Sequence, residues 1–233
     1  MSQSFNLYQL QKIDSRIDQL VHRMDEIIAL INDRTSISLL ETELRTADSK
    51  REELLQEISD LDSDISKKKI KVNQSESSLY GGKVQNPKEL QSLQAEIASI
   101  NKNISEKEFD LVELMQLFET LENQVEILQQ NLKKTITEKE ESNNQLIEEK
   151  IKLENEKLKL ESERLVAISQ VKRDFLNVYE DIRKKRRNIA VSIVEEDMCS
   201  ACGVSLTPSE CQAARSSDQI VFCPSCSRIL YAG

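Results

Sequence analysis

The chain has 233 residues, 31% of them charged and 4% aromatic, with no tryptophan and a formal net charge of −9. This excludes a large aromatic-filled globular core, and it excludes a bulk polyanion binder: any nucleic-acid contact must come from a local basic patch. The opening MSQSFNLYQLQKID has no basic and apolar leader, and no apolar run approaches the ~18 residues that span a bilayer, so a soluble cytoplasmic protein is expected.

From the N-terminus, apolar residues recur at alternating steps of three and four: Leu10, Ile13, Ile17, Leu20, Met24, Ile27, Ile31. This is a coiled-coil seam. Its phase slips at NDRTS and resumes as Ile37, Leu40, Leu44, Ala47, Leu54, Ile58, Leu61 and Ile65. A second seam runs from Leu90 through Ile97, Ile104, Leu114, Phe118 and Val125 to Leu132, fades in the polar KKTITEKEESNNQ, and returns from Leu146 to Leu165. Between the seams lies SSLYGGKVQNPKELQ, which holds Gly81, Gly82 and Pro87. Glycine breaks the first helix, and proline is tolerated at the first position of the next. Asn86 is placed to cap that helix, with Glu89 three residues on. The expected fold is mainly α: a long antiparallel coiled-coil hairpin over residues 1–190, turning at about 77–87, followed by a small C-terminal β zinc ribbon over 191–233. A turn centred near residue 82 sets Ala47 opposite Phe118 and puts a kink or hinge at NDRTS. The two helices, roughly 105 and 150 Å long, differ enough that the second overruns the first. The overrun includes Val171, Phe175, Val178, Tyr179 and Ile182, whose cover is expected from the C-terminal domain.

All five cysteines lie in the tail. CSAC (Cys199, Cys202) and CPSC (Cys223, Cys226) are two C-x-x-C knuckles separated by twenty residues. Each knuckle points two sulfurs at one metal, so the four cysteines are read as ligands of one structural Zn²⁺, closed to water and substrate. Redox chemistry would need a βαβ setting, which the pattern lacks. Between the knuckles, LTPSEC reads as a short helix capped by Thr207, with Pro208 first and Glu210 three on. QIVFC and RILY read as a short hairpin, and Cys211 as a packing residue or spare thiol.

SLYGGKVQNPKELQSLQAEI, RKKRRNIAVSIVEEDMCSACGVSL and FCPSCSRILY, in this order, resemble the bacterial family of coiled-coil proteins with a C-terminal C4-type zinc ribbon. The resemblance spans nearly the whole chain. It implies an elongated hairpin joined to a ribbon and a role in nucleic-acid binding or as a regulatory adaptor. The partners it implies are an enhancer-dependent alternative sigma factor, flagellar or secretion components, or messenger RNA. The chain departs from the family at Ser227, where glycine is common, and in the extra Cys211.

The strongest remaining chemical feature is RKKRR, Arg183, Lys184, Lys185, Arg186 and Arg187, which on a helix covers every face. It is the candidate nucleic-acid contact, against the plainer reading of cations complementing a helix C-terminus. The ribbon adds little to it, with five acidic residues against two basic ones from Asn188 onward. Phe222 and Tyr231 either stack on bases or pack the ribbon against the second helix. KKKIK (residues 67–71) reads as a solvated face, and Tyr80, Lys83 and Val84 at the hairpin turn as a partner-binding tip. His22 has no catalytic partner, GGK lacks the spacing of a phosphate loop, and no nucleophile–base pair is present. The reading is therefore a non-enzymatic adaptor that scaffolds protein partners. The alternative is an RNA- or DNA-binding regulator using residues 183–187 and the ribbon, and the third is a purely structural coiled coil. No membrane partner is expected, and monomer and dimer both stay open.

Overall fold

A computed structural model describes residues 2–81, 86–215 and 219–233. Long helices precede a small sheet: α1 Gln3–Asn32, α2 Thr35–Tyr80, α3 Pro87–Ser169 and α4 Arg173–Lys185. The hairpin and the ribbon expected from the sequence are both found. Ser2 caps α1 by accepting from the Phe5 N–H at 3.2 Å. The phase slip at NDRTS is a true break, because α1 stops at Asn32 and α2 starts at Thr35. The chain divides there into two compact units, Arg34–Glu141 and Met1–Asp33 with Ser142–Gly233.

The first unit is α2 against the N-terminal part of α3. The Asn86 carboxamide accepts from the Lys88 N–H at 3.1 Å, capping α3 just before Pro87. Ile65 and Val72 pack on Ile97 and Ile104, each at most 9% exposed. Lys71–Glu96 at 2.7 Å and Lys107–Asp64 at 3.1 Å cross between the helices. These pairs correct the expected register. Ala47 shares a cleft with Leu121, Gln124 and Leu128 rather than with Phe118, a shift of about one helical turn. The reason is that α2 continues to Tyr80 and α3 begins only at Pro87, which moves the centre of the turn beyond residue 82.

The second unit joins α1, the C-terminal part of α3, α4 and the sheet. Arg16–Glu156 and Arg23–Glu149, each at 2.8 Å, tie α1 to α3. The long second helix does not overrun α1, which corrects the sequence expectation. It breaks after Ser169, where Asn6 donates to the Gln170 carbonyl and Lys172 N–H donates to Gln3, both at 3.0 Å. α4 then folds back along α1, so Tyr179 meets Asp14 and Arg183 meets Asp18. Phe175, Leu176, Tyr179 and Ile182 join a cluster with Leu7, Leu10, Val171, Ala190, Val191 and Ile229, drawn from α1 as well as from the C-terminal domain.

The sheet is β1 Val191–Glu195, β2 Met198–Cys199, β3 Val221–Phe222 and β4 Ile229–Tyr231, in the order β2-β1-β4-β3. The expected β3–β4 hairpin is antiparallel, and β1 lies parallel to β4. β1 turns into β2 through Glu196 and Asp197, both with positive φ (50° and 57°), as a two-residue hairpin turn requires. The helix expected between the knuckles is α5 Pro208–Ala214, and Thr207 and Glu210 form its reciprocal capping box.

Candidate metal centre and the surfaces around it

Each cysteine pair sits on a tight turn that folds its sulfurs together. In the first, Gly203 N–H donates to the Cys199 carbonyl at 2.7 Å, and Gly203 takes a φ of +73° that suits glycine. In the second, Ser227 N–H donates to the Cys223 carbonyl at 2.9 Å, and Ser227 is left at a φ of 58°. Ser227 thus occupies a left-handed position, of the kind that favours glycine. The two turns bring Cys199, Cys202, Cys223 and Cys226 together with all four sulfurs within 4.8 Å of one another. Sulfurs of different knuckles approach to 3.8 Å (Cys199–Cys226) and 3.7 Å (Cys202–Cys223). A tetrahedron with 2.3 Å zinc–sulfur bonds has edges of about 3.8 Å. The donor set and its spacing therefore fit one zinc ion held by four thiolates, a structural site.

Burial pushes the Cys223 thiol up to about 12. At Cys226 burial acts in the same direction but is outweighed by donation from Arg228 N–H and by the neighbouring Cys202 and Cys223, which bring it down to about 6. Ser192 on β1 completes the surroundings and was not singled out in the sequence. Its hydroxyl, in a residue 2% exposed, lies 3.1 Å from the Cys199 sulfur and accepts from the Ala201 N–H at 3.0 Å. Partners of this kind orient metal ligands. Ser192→Ala should weaken zinc binding about 10-fold or more, read by chelator competition, with the helical circular dichroism unchanged.

The ribbon is fastened to α1 by groups that sequence reasoning also missed. Gln11, 8% exposed, accepts from Ala190 N–H (2.7 Å) and Val191 N–H (2.6 Å) and donates to the Val191 carbonyl (2.8 Å). Tyr231 stacks on Tyr8 with ring centroids 5.1 Å apart and tilts against Phe5. The ribbon aromatic expected on the second helix therefore packs on the first, and Phe222 stays exposed. Arg228 donates to the carbonyls of Ile189 and Arg186 at 2.9 and 3.2 Å, covering acceptors at the end of α4. Cys211 is buried among Leu206, Ala214 and the zinc-site sulfurs, a packing residue.

The basic run does not stay helical. α4 ends at Lys185, and Arg187 and Asn188 both take positive φ, closed by Asn188 N–H donating to the Arg183 carbonyl. Arg183 is no free cation: its guanidinium pairs with Asp18 and donates to the Asp14 carbonyl. Lys184, Lys185, Arg186 and Arg187 are exposed, and none forms an ion pair with a described residue. Lys69 and Lys71 of the second basic cluster pair with Glu108 and Glu96. At the turn Tyr80 is 81% exposed, while Lys83 and Val84 lie outside the described residues. His22 rests beside Glu26 at 3.3 Å. Among the described residues no helix is long and apolar enough to cross a membrane.

Residues 10–187 match the model of the CT398-like coiled coil hairpin domain, and residues 198–230 that of the C4-type zinc ribbon domain. The fold is similar to that of CT398 from Chlamydia trachomatis, with a TM-score of 0.84 at 23% identity over 99% of this chain and 98% of that one. It is also similar to a Mycobacterium smegmatis protein (TM-score 0.66, 18% identity, 99% of both chains). A third similar structure is the HP0958 protein of Helicobacter pylori (TM-score 0.57, 16% identity, 99% and 97% covered). No curated protein matches the sequence.

Proposed function

This chain belongs to the family of CT398-like coiled coil hairpin proteins, and we propose that it is a non-enzymatic cytoplasmic adaptor that scaffolds protein partners in bacterial gene regulation or in secretion or flagellar assembly. The observation that carries this reading is the chemistry of the four-sulfur site. Four thiolates leave a zinc ion no open position for a water or a substrate, so the metal's work is to hold the ribbon together. What remains for function is surface: long helical faces, the tip around Tyr80, and the ribbon at the base of α1. A protein built of such faces acts by holding partners.

A second reading has its own support. The exposed Lys184, Lys185, Arg186 and Arg187 form a cluster that fits phosphates. If all four met duplex phosphates, the log–log salt slope of binding would be about −3 to −4. The experiment compares the intact zinc-loaded protein with a variant carrying glutamine at those four positions. Under the adaptor reading a protein partner still co-purifies with the variant, and labelled RNA and DNA show no salt-steep anisotropy change with either protein. Tight, salt-steep nucleic-acid binding that the variant loses would put the second reading first.

A further inference from the structure

We infer that one side groove between α2 and α3, within the unit Arg34–Glu141, is the docking site for a basic amphipathic helix of a partner protein. This rests on the adaptor reading and names the chemistry of one of its partners.

Three open clefts of about 290, 410 and 480 Å³ run into one another along the seam, because neighbouring clefts share lining residues. Lys50, Leu121 and Gln124 line the first and second, and Glu57 and Leu117 the second and third. The furrow follows α2 from Thr42 to Leu61, roughly 30 Å at 1.5 Å per residue. It opens where the seam residue is small: Ala47, 6% exposed, leaves the space that a leucine would fill. The floor is hydrocarbon, from Ala47, Leu54, Leu114 and Leu121, while Leu117 stands 56% exposed. The hydroxyls in the furrow are already used, since those of Thr42, Thr46 and Thr120 each donate to a carbonyl of their own helix.

Negative charge predominates in the lining. Glu43, Glu53, Glu57, Asp110 and Glu113 face a single cation, Lys50. None of the five carboxylates forms an ion pair with a described residue, whereas Asp64, Glu96 and Glu108 nearer the turn are each matched by a lysine. A hydrocarbon floor bordered by unmatched carboxylates and about five helical turns long complements an amphipathic helix with cationic flanks. Such a helix would lie in the furrow as the third strand of a coiled coil. The exposed cations of this chain's own α4 do not supply one, because the apolar face of α4 is buried against α1.

The test uses the full chain and a labelled three-heptad peptide with leucine at the seam positions and lysine on both flanks, read by anisotropy. Two control peptides carry glutamate flanks or the same residues in scrambled order. Glu53→Lys with Glu57→Lys alters the groove; Glu52→Lys with Glu119→Lys makes the same charge change away from its lining. The lysine-flanked peptide should bind, the controls should not, and the groove variant should weaken binding about tenfold or more while the distant variant changes it less than about twofold. Leu117→Asn, a change at an exposed position, should weaken binding without altering the circular dichroism. No binding, equal loss in both charge variants, or equal binding of the scrambled peptide would overturn the proposal. Sedimentation showing that the chain alone dimerises, and that the groove variant does not, would assign the furrow to a second copy and overturn it too. Co-purification of a partner with the variant glutamine-substituted at residues 184–187 is independent of all these results, so failure at the groove leaves the adaptor reading to its own experiment.

Discussion

Replacing Asp14 with alanine should cost the base of the hairpin about 3 kcal/mol and release α4 from α1. Asp14 is 2% exposed and holds three groups at once. Its carboxylate accepts from Arg164 at 2.6 Å and from the Tyr179 hydroxyl at 2.7 Å, and its backbone carbonyl accepts from Arg183. Burial, reinforced by the carboxylate, pushes the Tyr179 hydroxyl well above its ordinary range, so it stays a donor throughout the accessible pH range. Removing the acid leaves that hydroxyl, 0% exposed as a residue, and the Arg164 guanidinium without their hydrogen-bonded partner, and takes from Arg183 an ion pair at 3.8 Å, while the Arg183 bond to the backbone carbonyl remains. The guanidinium side chains are 29% and 21% exposed, and Glu180 and Asp18 stand close enough to take up part of their charge. Water and these neighbours therefore recover some of the loss, which sets the expectation at the low end of the range for broken buried pairs. Tyr179→Phe should cost less, about 1.5 to 3 kcal/mol, because only one hydrogen bond to a charged group is lost. The double variant should fall short of the sum, since both changes cut one network. Urea unfolding followed by tyrosine circular dichroism measures all three. A cost below ~1 kcal/mol for Asp14→Ala would mean that α4 is held by apolar packing alone.

How much of this was legible in the sequence follows from how local each determinant is. The knuckle spacing, the Thr207 cap and the Gly81–Pro87 turn are determined within a few residues, and they could be read directly. The break at Asp33 and Arg34 was visible as a lost phase because seam periodicity is a short-range property. The register was not legible to within a turn of helix, because it depends on where α2 and α3 end around the tip. The folding back of α4 was missed for a related reason. Its apolar stripe says that the segment needs cover, and only the contacts of Gln3 and Asn6 with the chain at Gln170 and Lys172 say where the cover comes from. Ser192, Gln11 and Arg228 act across separations of seven to 180 residues, and serine, glutamine and arginine carry no motif that marks such roles. RKKRR is the instructive case: five like residues in a row, of which Arg183 is structural and the other four are exposed.

Stripping the zinc, or replacing Cys223 with serine, should unfold one side of the ribbon and spare the other. The C-terminal domain has two cores. In the one around the metal site, four of the seven buried residues are Cys199, Cys211, Cys223 and Cys226; the other three are Leu206, Ala214 and Leu230, and among the described residues only small, partly buried side chains (Val194, Val204, Val221, Ala232) pack around them. So little hydrocarbon cannot hold α5, β2 and β3 in place, and the folding energy on that side is the metal's, of order 10 kcal/mol. The other core packs Val191 and Ile229 against Leu7 and Leu10 of α1, and Gln11 satisfies both the N–H and the carbonyl of Val191. Under a chelator, amides of Cys202, Gly203 and Ser227 should lose hydrogen-exchange protection at once. Those of Val191 and Ile229 should keep a measurable part of theirs, and α2 and α3 should be unchanged. One equivalent of zinc should restore the rest. The zinc affinity should fall as the pH is lowered, because the thiolates that hold the metal must give it up to protons. Loss of protection reaching back through α4 would show that the metal also holds the base of the hairpin. No change at all would remove the structural role of the site. The graded outcome would mean that the chain keeps its ribbon docked by hydrocarbon and Gln11, and uses zinc to shape only the face that the ribbon turns away from α1.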